Sequence, residues 1–163
     1  MKSTDKFLIG IVVGIVALVI AAFVVTLTRP EPTYQPEDTP EGIAYNYLLS
    51  LQKEDYERAY GYLSPALDGY PASVQEFVKA ITDYAWRFRR DADTTLAVES
   101  ANVIGSWATV KIRESRFYGG SLIGNSQSVT LFDMELELDQ SLWKITQADY
   151  YFAGCWQSDK GCQ

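Results

Sequence analysis

The chain has 163 residues, 14 basic and 21 acidic, with two cysteines and no histidine. That length holds one ordinary domain and an appendage, since domains commonly run roughly 100 to 200 residues. The lack of histidine excludes Ser-His-Asp and Cys-His catalytic arrangements, and the net charge of −7 argues against a nucleic-acid surface.

The appendage comes first. Residues 1–6 make a short tail, and residues 7–28 read FLIGIVVGIVALVIAAFVVTLT, with no charge and no proline. At about 1.5 Å per helical residue this run is about 33 Å long, matching a hydrocarbon core of roughly 30 Å. A cleavable signal peptide is the competing reading, but its apolar region is usually about 7 to 15 residues and leads to a small-x-small cleavage pattern. Here Ala21-Ala22 is followed by Phe23 and Val24, so the expectation is an uncleaved single span. Lys2, Lys6 and the amino terminus precede the span and Arg29 alone follows it closely, which orients the tail to the cytoplasm and the rest outside the cell membrane. Gly10 and Gly14 form a GxxxG pattern that Ala17 and Ala21 continue, a face on which two anchors could approach as a homodimer.

Residues 29–38 are rich in proline and acid and cannot bury enough apolar surface to fold, so they read as an extended linker. Residues 39–163 form the domain. Beyond Arg29 there are 11 basic and 20 acidic residues, near −9, which also argues against an anionic-lipid surface.

In the domain, Thr39-Pro40-Glu41 is a helix start: a capping residue, proline in the first turn, and an acid facing the dipole. Ile43, Ala44, Tyr47, Leu48 and Leu51 follow at helical spacing to about Gln52. Asp55 can cap a second short helix, with Tyr56, Ala59, Tyr60 and Leu63 on one stripe, ending at Ser64-Pro65. These tyrosines read as core or core-edge residues. A third helix begins at Ser73, where SVQE is a capping box with Glu76 reaching back, buries Phe77, Ala80, Ile81 and Tyr84, and runs into WRFRRD. The arginines of that run, Arg87, Arg89 and Arg90, suit the negative end of the dipole, and Asp91 and Asp93 after them count against a nucleic-acid site.

From Thr94 the apolar period becomes two. Leu96 and Val98 mark a first strand; Ala108, Val110 and Ile112 mark a second, joined to it near Gly105. Tyr118-Gly119-Gly120 interrupts the pattern and Gly124-Asn125 marks a loop. A third strand sets Phe132, Met134, Leu136 and Leu138 against Asp133, Glu135 and Glu137, one buried face and one wet. After a turn at Asp139-Gln140-Ser141, Trp143 and Ile145 open a fourth strand running through TQADYYF. About three helices followed by four mainly antiparallel strands predict an α+β domain, helices packed on one face of a curved sheet.

Cys155 and Cys162 frame CWQSDKGC. Outside the cytoplasm they read as a disulfide, the alternative being two free thiols. No histidine joins them, so no metal site is expected, and nothing in the chain calls for a cofactor.

The anchor, the proline-rich spacer, AYNYLLSLQKEDYERAYGYLSP, the capped SVQEFVKAI helix and a strand meander ending in LWKITQADYYF resemble the nuclear transport factor 2-like superfamily, in particular its membrane-tethered bacterial members of unassigned function. The resemblance covers about Thr39 to Phe152. It implies a cone-shaped fold in which a bent sheet wraps a long helix and often leaves a pocket. Ketosteroid isomerases, SnoaL-like cyclases and dehydratases share that fold with non-enzymatic assembly domains, including single-span scaffolds of secretion systems, so function has to be argued from a site. The dehydratases that depend on histidine are excluded.

If strand phase holds, Glu114 and Arg116 extend the buried face of the second strand, and Gln147 and Asp149 extend that of the fourth. These four could line the mouth of a cone, with Tyr47 and Tyr60 beside them. Asp149 or Glu114 could then act as a carboxylate base on a small hydrophobic substrate, its pKa raised by burial. The competing reading is that the strands simply leave the core at their ends, and a bulge would invert the phase. The leading expectation is a non-catalytic envelope module that binds a protein partner or a small hydrophobic ligand. An enzyme of the isomerase type and a scaffold subunit of a secretion system are the alternatives.

Overall fold

Three helices begin where a side chain, Thr39, Asp55 or Ser73, satisfies a free N–H group of the first turn. A computed structural model describes residues 3–27, 31–88, 94–118 and 126–162. It forms two compact units, residues 1–33 and 34–163. In the first, α1 spans Ser3–Leu27, and Phe7–Val24 is long and apolar enough to cross a membrane. The apolar side chains of Phe7–Val24 are exposed all round, and a Cβ added at Gly10 or Gly14 would meet nothing within 4 Å.

In the second unit, α2 spans Pro40–Gln52, with the Thr39 hydroxyl accepting from the Gly42 amide at 3.1 Å. Asp55 caps α3, Tyr56–Gly61, by accepting from the Arg58 amide. Ser73 caps α4, Val74–Asp83, and Glu76 reaches back to the amide of Ala72, one residue before the cap.

The third helix departs from the continuous run that the sequence suggests. Tyr84 leaves helical geometry at φ −107°, ψ 30°, and a short α5 follows at Ala85–Phe88. This break turns Phe88 into the core, where it lies edge-on to Trp156 with centroids 6.0 Å apart, and leaves Trp86 at the surface under Arg87. Arg89, Arg90, Asp91 and Asp93 lie outside the described residues, as do Gly119, Gly120, Gly124 and Asn125.

Four antiparallel strands form one curved, open sheet in the order β1-β2-β3-β4: Thr94–Ile104, Trp107–Tyr118, Ser126–Asp139 and Leu142–Ala148. The turn between β1 and β2 uses Gly105 at φ 63°. The turn between β3 and β4 puts Gln140 and Ser141 at positive φ, matching the twist of its strands. Ala108, Val110, Ile112, Phe132, Met134, Leu136, Trp143 and Ile145 line the covered face, and α2 packs against β1, β2 and β4. Leu138, expected on that face, is partly exposed at the sheet end.

β4 stops at Ala148 instead of continuing through Phe152. Tyr151, at φ 59°, turns the chain into the core, and a 3-10 turn at Gly154–Gln157 follows. Trp156 is fully buried there, stacked on Phe77 at 5.2 Å and edge-on to Phe152 at 4.9 Å. Cys155 and Cys162 are joined by a disulfide. The loop they close rests on Gly69, whose amide donates to the Trp156 carbonyl at 2.9 Å. A Cβ on Gly69 would come within 2.3 Å of the Cys155 carbonyl oxygen.

Candidate functional site

The two strands proposed to line a cone mouth behave differently. β2 keeps its phase: Glu114 follows Ile112 inward and is fully buried, and the Arg116 Nε donates to its Oε1 at 2.5 Å, with the Arg116 side chain 22% exposed. Glu114 lies opposite Leu96 on β1 and Thr130 on β3. A carboxylate leaves water at this cost only with such a partner, because an unpaired buried charge is strongly disfavoured.

β4 does not keep its phase. Leu136 pairs with Ile145 and Glu135 with Gln147, leaving Thr146 as the extra residue of a bulge. Past it Ala148 takes the buried position, while Gln147 and Asp149 are exposed. Gln147 bonds to the Gln157 amide at 3.1 Å, and Asp149 faces the Asp133 amide at 3.4 Å. The structure therefore joins Glu114 to Arg116 and turns Gln147 and Asp149 away from the covered face.

The two tyrosines are part of the packing. Tyr47 is fully buried and its hydroxyl donates to the Tyr151 carbonyl at 2.5 Å, tying α2 to the turn after β4; burial pushes its pKa well up. Tyr60 donates to the Pro71 carbonyl at 2.8 Å and its ring packs on Tyr70 and Phe77.

A second constellation, which sequence patterns did not signal, lies where the supposed spacer meets α2 and α3. Residues 31–36 have neither helix nor strand, yet from Tyr34 onward they are bonded to the domain. The Gln35 amide donates to Asn46 Oδ1 at 2.7 Å, and the Asn46 amide returns a bond to the Gln35 carbonyl at 2.8 Å. The Tyr34 hydroxyl donates to Asp55 at 3.0 Å, and the Arg58 guanidinium lies 3.7 Å from the Tyr34 ring centroid. Glu37 Oε1 accepts from both Arg58 Nη2 and the Tyr62 hydroxyl, each at 2.7 Å, and Arg58 Nε donates to the Tyr62 oxygen at 2.8 Å.

The charges in this triad reinforce one another. The hydrogen bond from Tyr62, then that from Arg58, holds the Glu37 carboxyl below its ordinary range. Burial and the bond to Glu37 push Tyr62 up to about 12. Bonds to Tyr62 and Glu37 hold the Arg58 proton more firmly. Glu37, Arg58 and Tyr62 line one wall of an open cleft of about 440 Å³, with Ile43, Leu142 and Trp143 among the others. A smaller cleft, about 220 Å³, lies between Asp68–Pro71 and the disulfide loop. Among the described residues there is no cluster of His, Cys, Asp and Glu able to hold a metal.

No family model matches the chain, and no curated protein matches it. Among solved structures it is similar to a SEC-C motif-containing protein from Rhodopseudomonas palustris (12% identity, 72% of this chain and 83% of that one, TM-score 0.49). It is also similar to a candidate ketosteroid isomerase from Shewanella frigidimarina (17%, 68% and 94%, 0.47) and to a nuclear transport factor 2-like protein from Novosphingobium aromaticivorans (14%, 66% and 75%, 0.44). The last two carry names from the superfamily that the sequence patterns resemble. The α+β architecture itself stands on the register and packing described above.

Proposed function

We propose that this chain is a single-span, membrane-anchored binding module whose domain lies outside the cytoplasm and works by holding a partner. The observation that carries the binding reading is the separation of the acids: Glu114 is buried against Arg116 while Asp149 is exposed beyond a bulge. A general base has to reach a substrate proton within hydrogen-bond distance, and Glu114 is held inside the fold with its Oε1 bonded to the Arg116 Nε. The apolar span Phe7–Val24 and the disulfide support the anchored, oxidising location. Protease added outside intact cells is expected to remove the domain and leave α1 in the membrane. Protection of the domain until the cells are lysed would overturn the orientation.

The second reading, an isomerase-type enzyme on a small hydrophobic substrate, rests on Glu114, the one fully buried carboxylate among the described residues. Glu114→Gln would abolish turnover in that case, yet leave partner binding by a module unchanged.

A further inference from the structure

α2 carries two fully buried polar side chains, Asn46 and Ser50, one turn apart and off its apolar stripe of Ile43, Ala44, Tyr47, Leu48 and Leu51, where side chains would ordinarily meet water. Their burial comes from the chain segment lying over them. Asn46 spends its amide oxygen and amide nitrogen on the two backbone groups of one residue, Gln35. Such a pair reads extended main chain without regard to the side chain, as a neighbouring strand would. On either side of it the contacts become specific. Tyr34 is read by the cation–π contact with Arg58 and the bond to Asp55. Pro36 lies against bare backbone: a Cβ on Gly42 would come within 2.0 Å of its carbonyl oxygen. Glu37 is read by Arg58 and Tyr62.

Four successive residues are thus met by α2, α3 and the caps of α3, with Arg58 serving both Tyr34 and Glu37, in a segment with no helix or strand of its own. This is how a groove holds a ligand peptide. The ion pair at its end is half exposed, at 39% for Arg58 and 47% for Glu37, so water can replace those contacts at small cost.

We propose that the α2–α3 groove is a peptide-recognition site, occupied in cis by Tyr34–Glu37. In trans it accepts an extended partner segment that presents an aromatic residue and, three positions on, a carboxylate. The proposal rests on the binding-module reading and names its partner class. Because the cis segment is covalently attached, its effective concentration is in the millimolar range, and a trans peptide has to compete with it.

The test uses the full-length chain in mild detergent and a fluorescent peptide of residues 31–38, EPTYQPED, read by anisotropy. Tyr34→Ala combined with Glu37→Ala weakens the cis segment and leaves the groove intact; this chain is expected to bind the peptide at least about tenfold more tightly than the unaltered one. Adding Arg58→Ala should remove that gain. No peptide binding by the double variant, while it still melts cooperatively, would overturn the proposal.

If the double variant does not fold, amide exchange of the unaltered chain decides. The Gln35 amide is expected to exchange about a hundredfold faster than the core amides of α2, through local undocking. Protection equal to the core would make the segment an integral part of the fold and end the proposal. The proposal can fail while the wider reading stands: an envelope partner that still binds an Asn46→Ala chain keeps the module and moves its interface off this groove.

Discussion

Pairing runs unbroken between the two inner strands of the sheet and is interrupted in each of the two outer ones. β2 and β3 pair residue for residue from Trp107↔Glu137 to Tyr118↔Ser126. β1 shifts between Val98 and Ser100, and β4 shifts opposite Glu135 and Leu136. A slip in an inner strand breaks two ladders and turns a buried face outward, whereas an edge strand loses one ladder and gains a bend. Each outer strand then uses its irregularity. The bulged Glu99 pairs with Arg113 on the outer face, and the bulge at Thr146 frees β4 to turn towards Tyr151 and Trp156. The free edge of β4 is also covered, since Tyr62–Ser64 bonds to Ile145 on both sides, at 2.9 and 2.8 Å.

This contrast predicts a gradient of effects. The largest belongs to β2: Arg116→Ala takes the guanidinium from a buried carboxylate and is expected to cost about 3 to 5 kcal/mol by urea unfolding. Asp149→Ala and Gln147→Ala, beyond the β4 bulge, should stay within about 0.5 kcal/mol. Equal losses at the two strands would break the comparison.

Next comes the clip that β4 leads into. Replacing Cys155 and Cys162 by serine releases a short loop and is expected to cost about 2 to 3 kcal/mol, on the chain-entropy account. Gly69→Ala, which drives a methyl group into the backbone of that loop, should cost about 1 to 3 kcal/mol. The serine variant should tolerate Gly69→Ala better than the clipped chain does, because its loop is free to move; a double-mutant cycle measures the difference.

The smallest effect is the pH dependence of the docked segment. Glu37 has a lowered pKa when docked, owing to Tyr62 and Arg58, with Lys144 adding attraction. Its contribution is therefore complete above the free carboxyl value, roughly 4.3, and is lost as pH falls through the lowered one. The Gln35 amide resonance is expected to shift towards its undocked position on acidification below that range and to stay constant from neutral pH down to it.

How much of this was legible in the sequence follows the same physics. Helix starts were readable at Thr39, Asp55 and Ser73 because capping is local chemistry, and the face of Glu114 was readable because an inner strand holds its phase. The outward turn of Asp149 was hidden because a bulge is set by what the edge strand does next, here the burial of Ala148 and Trp156. The break at Tyr84 was hidden for a like reason, the demand of Phe88 for the core. The docked segment was the least visible feature. Tyr34 and Gln35 lie among prolines and acids, and what orders them is a pair of polar residues, Asn46 and Ser50, that stand off the apolar stripe of their helix.

The central claim, that this is a module for holding a partner, is tested most directly by weighing the full-length protein intact, purified from its own membranes in mild detergent, by native mass spectrometry. The account predicts a second polypeptide in stoichiometric amount. A bound mass of a few hundred daltons that disappears in Glu114→Gln would contradict it and place the chemistry inside the fold.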